Sequence, residues 1–403
     1  MKAYERFLNY VVCDTQSSTK SEATPSTETQ KPFAKKLAAE LQEMGIKAEV
    51  DDKGYVYAKL PATAGKESCD AIGFIAHMDT APDFSGRDVA PIIHENYDGG
   101  DIALPKFGRV IKVEKFPDIK ALKGKTIITT DGSTLLGGDD KAGIAEIITA
   151  CERLVTENIP HGDICIGFTP DEEIGRGADH FDVERFGAKY AYTMDGGEAG
   201  GVEYENFNAA AVEIAIEGVS VHPGSAKGIM ENALLIACEI NSLLPQDETP
   251  AHTEGYEGFY HLDGIMGTSE KARMGYIIRD HDMAKFEQRK AAMQSAVDTV
   301  LENHKSAKIV LQITDSYYNM AEKIKPCMHL IENARAAWQK AGVQPVTEPV
   351  RGGTDGSRLS YMGLPCPNLG TGTYNMHGPY ELCCADDMTA AVNTILNIIE
   401  AYA

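Results

Sequence analysis

The sequence has no apolar run that approaches the roughly 20 residues a helix needs to span a bilayer. It is also poor in basic residues, because 38 lysines and arginines stand against 60 aspartates and glutamates, for a net charge of -22. Such a chain repels the phosphates of nucleic acids and of anionic membranes, so we expect neither as a partner. Its hydrophobic fraction of 43% is that of an ordinary globular protein, and 403 residues are enough for two domains.

Paired cysteines are absent as well. The nine cysteines are scattered, odd in number and without a CxxC pair, which favours reduced thiols and a cytoplasmic location over a disulfide framework. We interpret the adjacent Cys383 and Cys384 as incidental rather than as a metal or redox pair. The first twelve residues predict a charged amphipathic helix and lack the continuous apolar segment of a signal peptide.

The first 200 residues alternate between predicted strands and helices, which is typical of an α/β sheet. The almost wholly apolar run 71–76 is typical of a strand that is covered on both faces. We therefore predict an α/β fold with a mostly parallel central sheet and flanking helices. The predicted helices are 30–44 and 141–156, and the predicted strands are 47–50, 55–60, 71–76, 163–169 and 189–194.

From about residue 208 the order of elements changes, and it predicts a small α+β domain inserted into the first one. We predict a catalytic domain of residues 1–207 and 317–403 and an inserted lid domain of residues 208–316. The predicted elements of the insert are strands at 209–217, 273–279 and 308–314 and helices at 229–244 and 283–304. After the insert we predict a helix at 324–341, a strand at 366–369 and a closing helix at 387–402.

Polar residues that can bind metals follow several of these elements. In an open α/β sheet, ligands bind beyond the carboxyl ends of the strands, so we expect these side chains to meet at one edge. Each residue alone also fits a helix cap, a surface histidine or a turn acid, but together they are better explained as one site. The residues are His77, Asp79, Asp139, Glu172, Glu173, Asp195 and His377.

Mixed imidazole and carboxylate ligands suit zinc, and a zinc site that keeps a position open for water is catalytic. These residues are numerous enough for two metal ions ~3.5 to 4 Å apart, bridged by one carboxylate and one water. The positive charge of two dications and the negative charge of the acids would also offset each other, which explains why several acids could be buried together here.

The motifs resemble the co-catalytic zinc exopeptidases, a family that includes carboxypeptidase and deacetylase relatives. The resemblance spans essentially the whole chain, and within the family it narrows to the branch of tripeptide aminopeptidases. The motifs that carry it are 77–83, 136–146, 205–210, 220–228, 253–260 and 351–356, together with the Asp-Glu-Glu, Asp-Gly-Gly and His-Gly sequences at Glu172, Asp195 and His377.

The resemblance implies a ligand set for two zinc ions. Asp139 and a water would bridge the two ions. His77 and Asp195 would complete one site, and Glu173 and His377 the other.

The resemblance also has implications for three neighbours of these ligands. Asp79 would hold the ring of His77 by a hydrogen bond. A cis peptide bond is expected between Asp139 and Asp140, although Asp140 also fits a simple helix N-terminal acid. Gly138 stands where relatives more often carry alanine, and we expect that exchange to be silent.

Two adjacent glutamates are needed because one carboxylate cannot both bind a metal and act as a base. With Glu173 as a ligand, Glu172 would take the proton from the bridging water and relay it to the leaving amine.

The inserted segment supplies the expected substrate contacts. The resemblance implies that His222 donates to the oxyanion of the tetrahedral intermediate, whereas its spacing alone favours a satisfied loop histidine. Arg279 ends a predicted strand, where its guanidinium would clamp the peptide's terminal carboxylate. The alternative for Arg279 is a salt bridge to Asp280 or Asp282. Further candidates for substrate contact are Asn232 and Arg351.

The resemblance therefore implies a zinc aminopeptidase acting on tripeptides. The alternatives are a dizinc dipeptidase or amide deacylase of the same superfamily, and a catalytically silent metal-binding or peptide-binding protein. Inactive relatives would be expected to lose the base or a ligand, and here all are present. In this family the inserted domain often serves dimerisation, but the sequence leaves the oligomeric state open.

Overall fold

The computed structural model describes all 403 residues and divides into two compact units. The first unit comprises Met1–Tyr204, Glu322–Glu348 and Thr354–Ala403, and the second comprises Glu205–Ala321 and Pro349–Gly353. The second unit extends a few residues beyond each end of the predicted insert, 208–316, and also includes the separate segment Pro349–Gly353. The role of a lid stays a prediction.

Seventeen strands and ten helices make up the chain. The strands are β1 (Lys47–Val50), β2 (Val56–Leu60), β3 (Ile72–His77), β4 (Ile92–His94), β5 (Ile102–Ala103), β6 (Val110–Ile111), β7 (Ile127–Thr129), β8 (Ile164–Thr169), β9 (Tyr190–Gly196), β10 (Val202–Glu203), β11 (Asn208–Glu217), β12 (Phe259–Gly267), β13 (Lys271–Asp280), β14 (Lys308–Tyr317), β15 (Asn368–Gly370), β16 (Thr373–Tyr374) and β17 (Leu382–Cys384). The helices are α1 (Ala3–Val11), α2 (Gln30–Glu43), α3 (Gly138–Thr156), α4 (Val183–Phe186), α5 (Ala233–Leu243), α6 (Met283–Asn303), α7 (Ala321–Ile324), α8 (His329–Lys340), α9 (Asp355–Tyr361) and α10 (Ala385–Tyr402).

The main sheet of the first unit has the strand order β1-β2-β8-β3-β9-β15-β10. Its four central strands, β8, β3, β9 and β15, are parallel, and the strands on either side of them are antiparallel. Every residue of β3 and β8 is buried, as expected for strands covered on both faces. The predicted α/β class is confirmed, with antiparallel edges that make the sheet mixed.

The first unit also contains a second, four-stranded sheet of order β16-β17-β7-β4 and the two-stranded hairpin of β5 and β6. None of these strands exceeds three residues, so no hydrophobic period predicts them. The predicted helix over 324–341 is interrupted, because Pro326 lies in a 3-10 turn between α7 and α8 and cannot donate a helical hydrogen bond.

The second unit is an antiparallel sheet of order β12-β13-β11-β14, against which α5 and α6 pack. Along β11, buried residues alternate with exposed ones from Val212 onward, because only one face of the sheet is covered. Its core includes Ile214 and Ile216 of β11, Ile236 of α5 and Phe286 of α6. Among the ten helices, none combines the length and the hydropathy that a membrane crossing requires.

Candidate active site

The carboxyl ends of three neighbouring parallel strands bring the predicted site residues together. His77 is the last residue of β3, Asp195 is the last but one of β9, and Glu172 and Glu173 form a short 3-10 turn after β8. Because β8, β3 and β9 are adjacent and parallel, their ends lie at one edge of the sheet. The start of α3 and the loop between β16 and β17 add two more residues, Asp139 and His377.

Asp139 lies at the centre of the cluster, with one carboxylate oxygen toward each histidine. Its Oδ1 is 2.8 Å from Nε2 of His77, and its Oδ2 is 3.2 Å from Nε2 of His377. Nε2 of His77 is also 3.4 Å from Oδ1 of Asp195, and Nε2 of His377 is 3.0 Å from Oε2 of Glu173. One carboxylate thus stands between two pairs, each of a histidine and an acid.

Asp79 orients both the histidine and the glutamate turn. Nδ1 of His77 is 3.0 Å from the main-chain oxygen of Asp79 and 3.4 Å from its Oδ1. The amide N–H groups of Glu172 and Glu173 donate to Oδ1 and Oδ2 of Asp79 at 2.9 and 3.2 Å. With Nδ1 engaged in this way, Nε2 of His77 faces the cluster.

The electrostatics of the cluster reflect crowded, buried carboxyl groups. Burial raises the pKa of Asp195 to about 7, and burial together with nearby Asp139 raises the pKa of Glu173 to about 8. Hydrogen bonds with Asp139 and Glu173 raise the pKa of His377 to about 11. Burial and the nearby Asp195 raise the pKa of Glu172 well above its ordinary value. Ionising all of these acids together would cost considerable free energy unless a cation lay among them.

The donor atoms fit a metal centre. One atom each from His77, Asp139 and Glu173 lies within 4.8 Å of the others, and the same holds for His77, Glu172 and Asp195. Oε1 of Glu173 is buried without a hydrogen-bond partner, although an unpaired buried carboxylate oxygen is costly. Imidazole nitrogens and carboxylate oxygens together are the ligands that zinc accepts in catalytic sites.

Glu381 is a residue of this region for which no role is predicted from the sequence. Its buried carboxylate accepts four main-chain N–H groups, those of residues 136 to 139, at distances of 2.7, 2.9, 2.6 and 3.2 Å. These bonds fix the loop that carries Asp139. Its position in the motif that follows His377, next to the apolar run 382–385, was the available signal.

The peptide bond between Asp139 and Asp140 is cis, as predicted. Asp140 also behaves as the alternative expected, because its Oδ1 accepts the N–H group of Gly143 in the first turn of α3 at 3.2 Å. Its Oδ2 accepts the N–H group of His77 at 3.1 Å, which connects the start of α3 to the end of β3.

Gly138 is closely packed in this structure. A Cβ atom at this position would lie 2.4 Å from Sγ of Cys383 and 2.8 Å from Cγ2 of Thr373, both closer than real contacts allow. The expectation that alanine would be silent here does not fit this packing, because the buried side chains of Cys383 and Thr373 would have to move.

The four remaining candidates lie in the second unit. His222 is exposed, and its Nδ1 accepts the N–H group of Gly224 at 3.1 Å. Asn232 caps α5, since its Oδ1 accepts from the amide groups of Leu234 and Leu235 at 3.0 and 3.4 Å. This cap also explains why the predicted helix over 229–244 begins only at residue 233.

The two arginines differ in how many of their N–H groups already donate hydrogen bonds within the protein. Arg351 donates to the main-chain oxygens of residues 255 and 257 and to Oγ1 of Thr253, so it holds a loop of its own unit. Arg279 donates through Nη1 to the main-chain oxygen of Arg351 at 2.8 Å, whereas its buried Nε has no partner. The alternative salt bridge is not formed, because Asp280 pairs with Arg289 and Asp282 caps α6.

Comparisons with known proteins agree with this fold. Residues 131–401 match the peptidase family M20/M25/M40. Peptidase T of Clostridium novyi is 55% identical over 400 residues, which are 98% of each chain. Among solved structures, the aminopeptidase PepT of Bacillus cereus superposes with a TM-score of 0.79 at 24% identity, over 99% of this chain and 97% of that one. A tripeptidase of Staphylococcus aureus superposes with a TM-score of 0.78 at 21% identity, over 100% of this chain and 98% of that one.

Imidazoles and carboxylates gathered at the ends of parallel strands, together with the family match, indicate a metal-dependent hydrolase. The chain belongs to the peptidase family M20/M25/M40, and its full-length relatives named Peptidase T place it within that group. The predicted family, fold class and enzyme class are thus confirmed.

Proposed function

We propose that the protein is an aminopeptidase that releases the N-terminal residue of tripeptides at a pair of zinc ions. The observation that carries the proposal is the placement of Asp139 between His77 and His377, with one oxygen toward each. A carboxylate so placed can bridge two metal ions. Its full-length relatives support the choice of an aminopeptidase over other hydrolases of this fold.

Each zinc ion would have a histidine and an acid besides the bridging Asp139. His77 and Asp195 would hold one ion, and His377 and Glu173 the other, in keeping with the two pairs of contacts around Asp139. The zinc pair, when bound, makes water acidic enough to ionise near neutral pH and polarises the scissile carbonyl.

Glu172 is the proposed general base. It adjoins Glu173 in the turn after β8, and one of its carboxylate oxygens lies close to His77 and Asp195. A carboxylate in this place can accept a proton and then release it. Glu172 would take the proton of the attacking water and pass it to the nitrogen of the departing peptide. The main-chain bonds to Asp79 hold the turn that carries it.

The second unit would supply the substrate contacts. Since Gly224 donates to Nδ1 of His222, the neutral ring carries its proton on Nε2 and can donate there to a developing oxyanion. The unpartnered Nε of Arg279 supports a role in binding the substrate's terminal carboxylate. Asn232 and Arg351 are already engaged within their unit, so we assign them lesser roles.

We also propose small peptides as the partners and a cytoplasmic location, which the nine free cysteines support. A homodimer through the second unit stays a prediction.

Product analysis by mass spectrometry tests the proposal. The zinc-loaded protein is given a dipeptide, a tripeptide, a tetrapeptide and an N-acetylated tripeptide of matched sequence. We expect release of the first residue from the free tripeptide alone. Cleavage of the dipeptide or of the acetylated peptide instead would indicate a dipeptidase or a deacylase, and no cleavage of any peptide would contradict the proposal.

A further inference from the structure

Asp171, which precedes Glu172, has a left-handed backbone conformation with φ of 60°. Residues other than glycine rarely adopt this conformation, and where they do the surrounding structure usually holds them in it. Asp171 is fully buried, so its carboxylate needs partners inside the protein.

Three hydrogen bonds anchor that carboxylate. Oδ1 of Asp171 accepts from Oγ of Ser26 at 2.6 Å and from Nε2 of Gln30 at 2.7 Å, and Oδ2 accepts from the amide N–H of Ser26 at 2.7 Å. Ser26 and Gln30 are themselves buried, at 7% and 1% exposure. Ser26 lies just before α2 and Gln30 is the first residue of that helix, so both are far from Asp171 in sequence.

The conformation of Asp171 determines where the next two amide groups point. The N–H groups of Glu172 and Glu173 donate to the two oxygens of Asp79, which also contacts the ring of His77. A change at residue 171 would therefore move the base and a metal ligand together.

The turn is closed on its other side by the same segment. The amide of Arg176 donates to the main-chain oxygen of Asp171 at 2.9 Å. The guanidinium of Arg176 donates to the main-chain oxygens of Ser21 and Ala23, each at 2.8 Å. Residues 21–30 thus hold both ends of the turn that carries the two glutamates.

We infer that Asp171 is a positioning residue, which through its anchor on Ser26 and Gln30 sets the placement of Glu172 and Glu173 against Asp79. The inference rests on the proposed function, because it takes Glu172 as the base and Glu173 as a ligand. Asp171 acts through its neighbours, because its own carboxylate is engaged by Ser26 and Gln30.

Four variants separate positioning from stability. Asp171→Ala removes the anchor and disfavours the left-handed backbone, whereas Asp171→Gly permits that backbone without the anchor. Asp171→Asn tolerates the backbone and keeps one acceptor oxygen. Ser26→Ala with Gln30→Ala weakens the anchor from the opposite side and leaves residue 171 unchanged. Asp182→Ala, which removes the cap of α4, is the matched control for a lost aspartate.

The measurements are kcat and KM on a tripeptide, bound zinc per chain and the Tm. We expect Asp171→Ala, Asp171→Gly and the Ser26/Gln30 double variant to lower kcat on the order of 10- to 100-fold, with KM changed less than about twofold and zinc retained. Asp171→Asn should keep most of the turnover, and Asp182→Ala should lower the Tm without changing kcat.

A lower Tm with unchanged kcat in Asp171→Gly and in the double variant would overturn the inference, because the anchor would then be structural only. If Asp171→Ala does not fold, these other variants still decide. A wild-type protein that cleaves no tripeptide would instead refute the proposed function, and that result is separate from any comparison among the variants.

Discussion

Glu172 and Glu173 are neighbours in sequence but face different groups. Oε2 of Glu173 lies 3.0 Å from the His377 ring, and its Oε1 is buried and unpaired, as expected of a metal ligand. A carboxylate oxygen of Glu172 lies close to ligand atoms of His77 and Asp195, and this group of three does not include His377. Substituting each glutamate separately therefore tests whether Glu172 is the base and Glu173 the metal ligand.

The first prediction concerns turnover without metal loss. In Glu172→Gln the shape of the side chain is kept but its proton affinity is lost, so kcat should fall by roughly 10²- to 10⁴-fold. Bound zinc, measured by elemental analysis of dialysed protein, should stay at two ions per chain. Steady-state rates on a tripeptide give the comparison.

Its matched control is Glu173→Gln, one residue away. That variant should lose zinc as well as activity, because an amide is a poorer ligand than a carboxylate. Full turnover by zinc-loaded Glu172→Gln would remove Glu172 from the role of base, and two tightly held zinc ions in Glu173→Gln would remove Glu173 from the ligand set.

At the scale of elements, the start of α3 packs against β17, and this contact could not be predicted from the sequence. Most of the long elements are predictable because their apolar runs or periods are local, as in β3, β8 and α6, but the nine-residue strand β12 was not predicted. The proposed metal ligands also lie at element ends, as the sequence predicts. Strands β7, β16 and β17 are two or three residues long and are defined by their pairing with distant segments.

Glu381 shows the same limit within the site. Its four donors are 242 to 245 residues away in sequence, so no local pattern reveals the interaction. Glu172 and Asp139 can be proposed as site residues from the sequence because the Asp-Glu-Glu and Gly-x-Asp motifs are local. The anchor of Asp171 on Ser26, by contrast, joins segments 145 residues apart.

The second prediction tests the packing of Gly138 against Cys383. Gly138→Ala should lower the free energy of unfolding by about 1 to 3 kcal/mol, the usual cost of overpacking a buried contact. Urea denaturation followed by circular dichroism measures this change. In the background of Cys383→Ala, which removes the nearest atom, the same exchange should cost less. An equal cost in both backgrounds, or no cost in either, would contradict the packing argument.

At the scale of the whole molecule, the acids exceed the bases by 22 charges, and several of the acids lie buried or partly buried in the cluster of the first unit. Carboxylates buried together weaken the folded state unless a cation neutralises them. The second unit, by contrast, contains no residue of the two groups that could hold a metal. Metal binding should therefore contribute to stability through the first unit.

The last prediction is that removal of zinc lowers the Tm. A ligand present at about 1,000 times its Kd stabilises a folded protein by about 4 kcal/mol, so stripping zinc with a chelator should shift the calorimetric transition down by several degrees. Adding zinc back should restore it. The matched control is a variant with both His77→Ala and His377→Ala, in which the histidine ligand of each proposed ion is lost and the Tm should no longer respond to zinc. An unchanged Tm in wild-type protein whose zinc has been removed would show that the buried carboxyl groups are accommodated without a metal, as neutral acids.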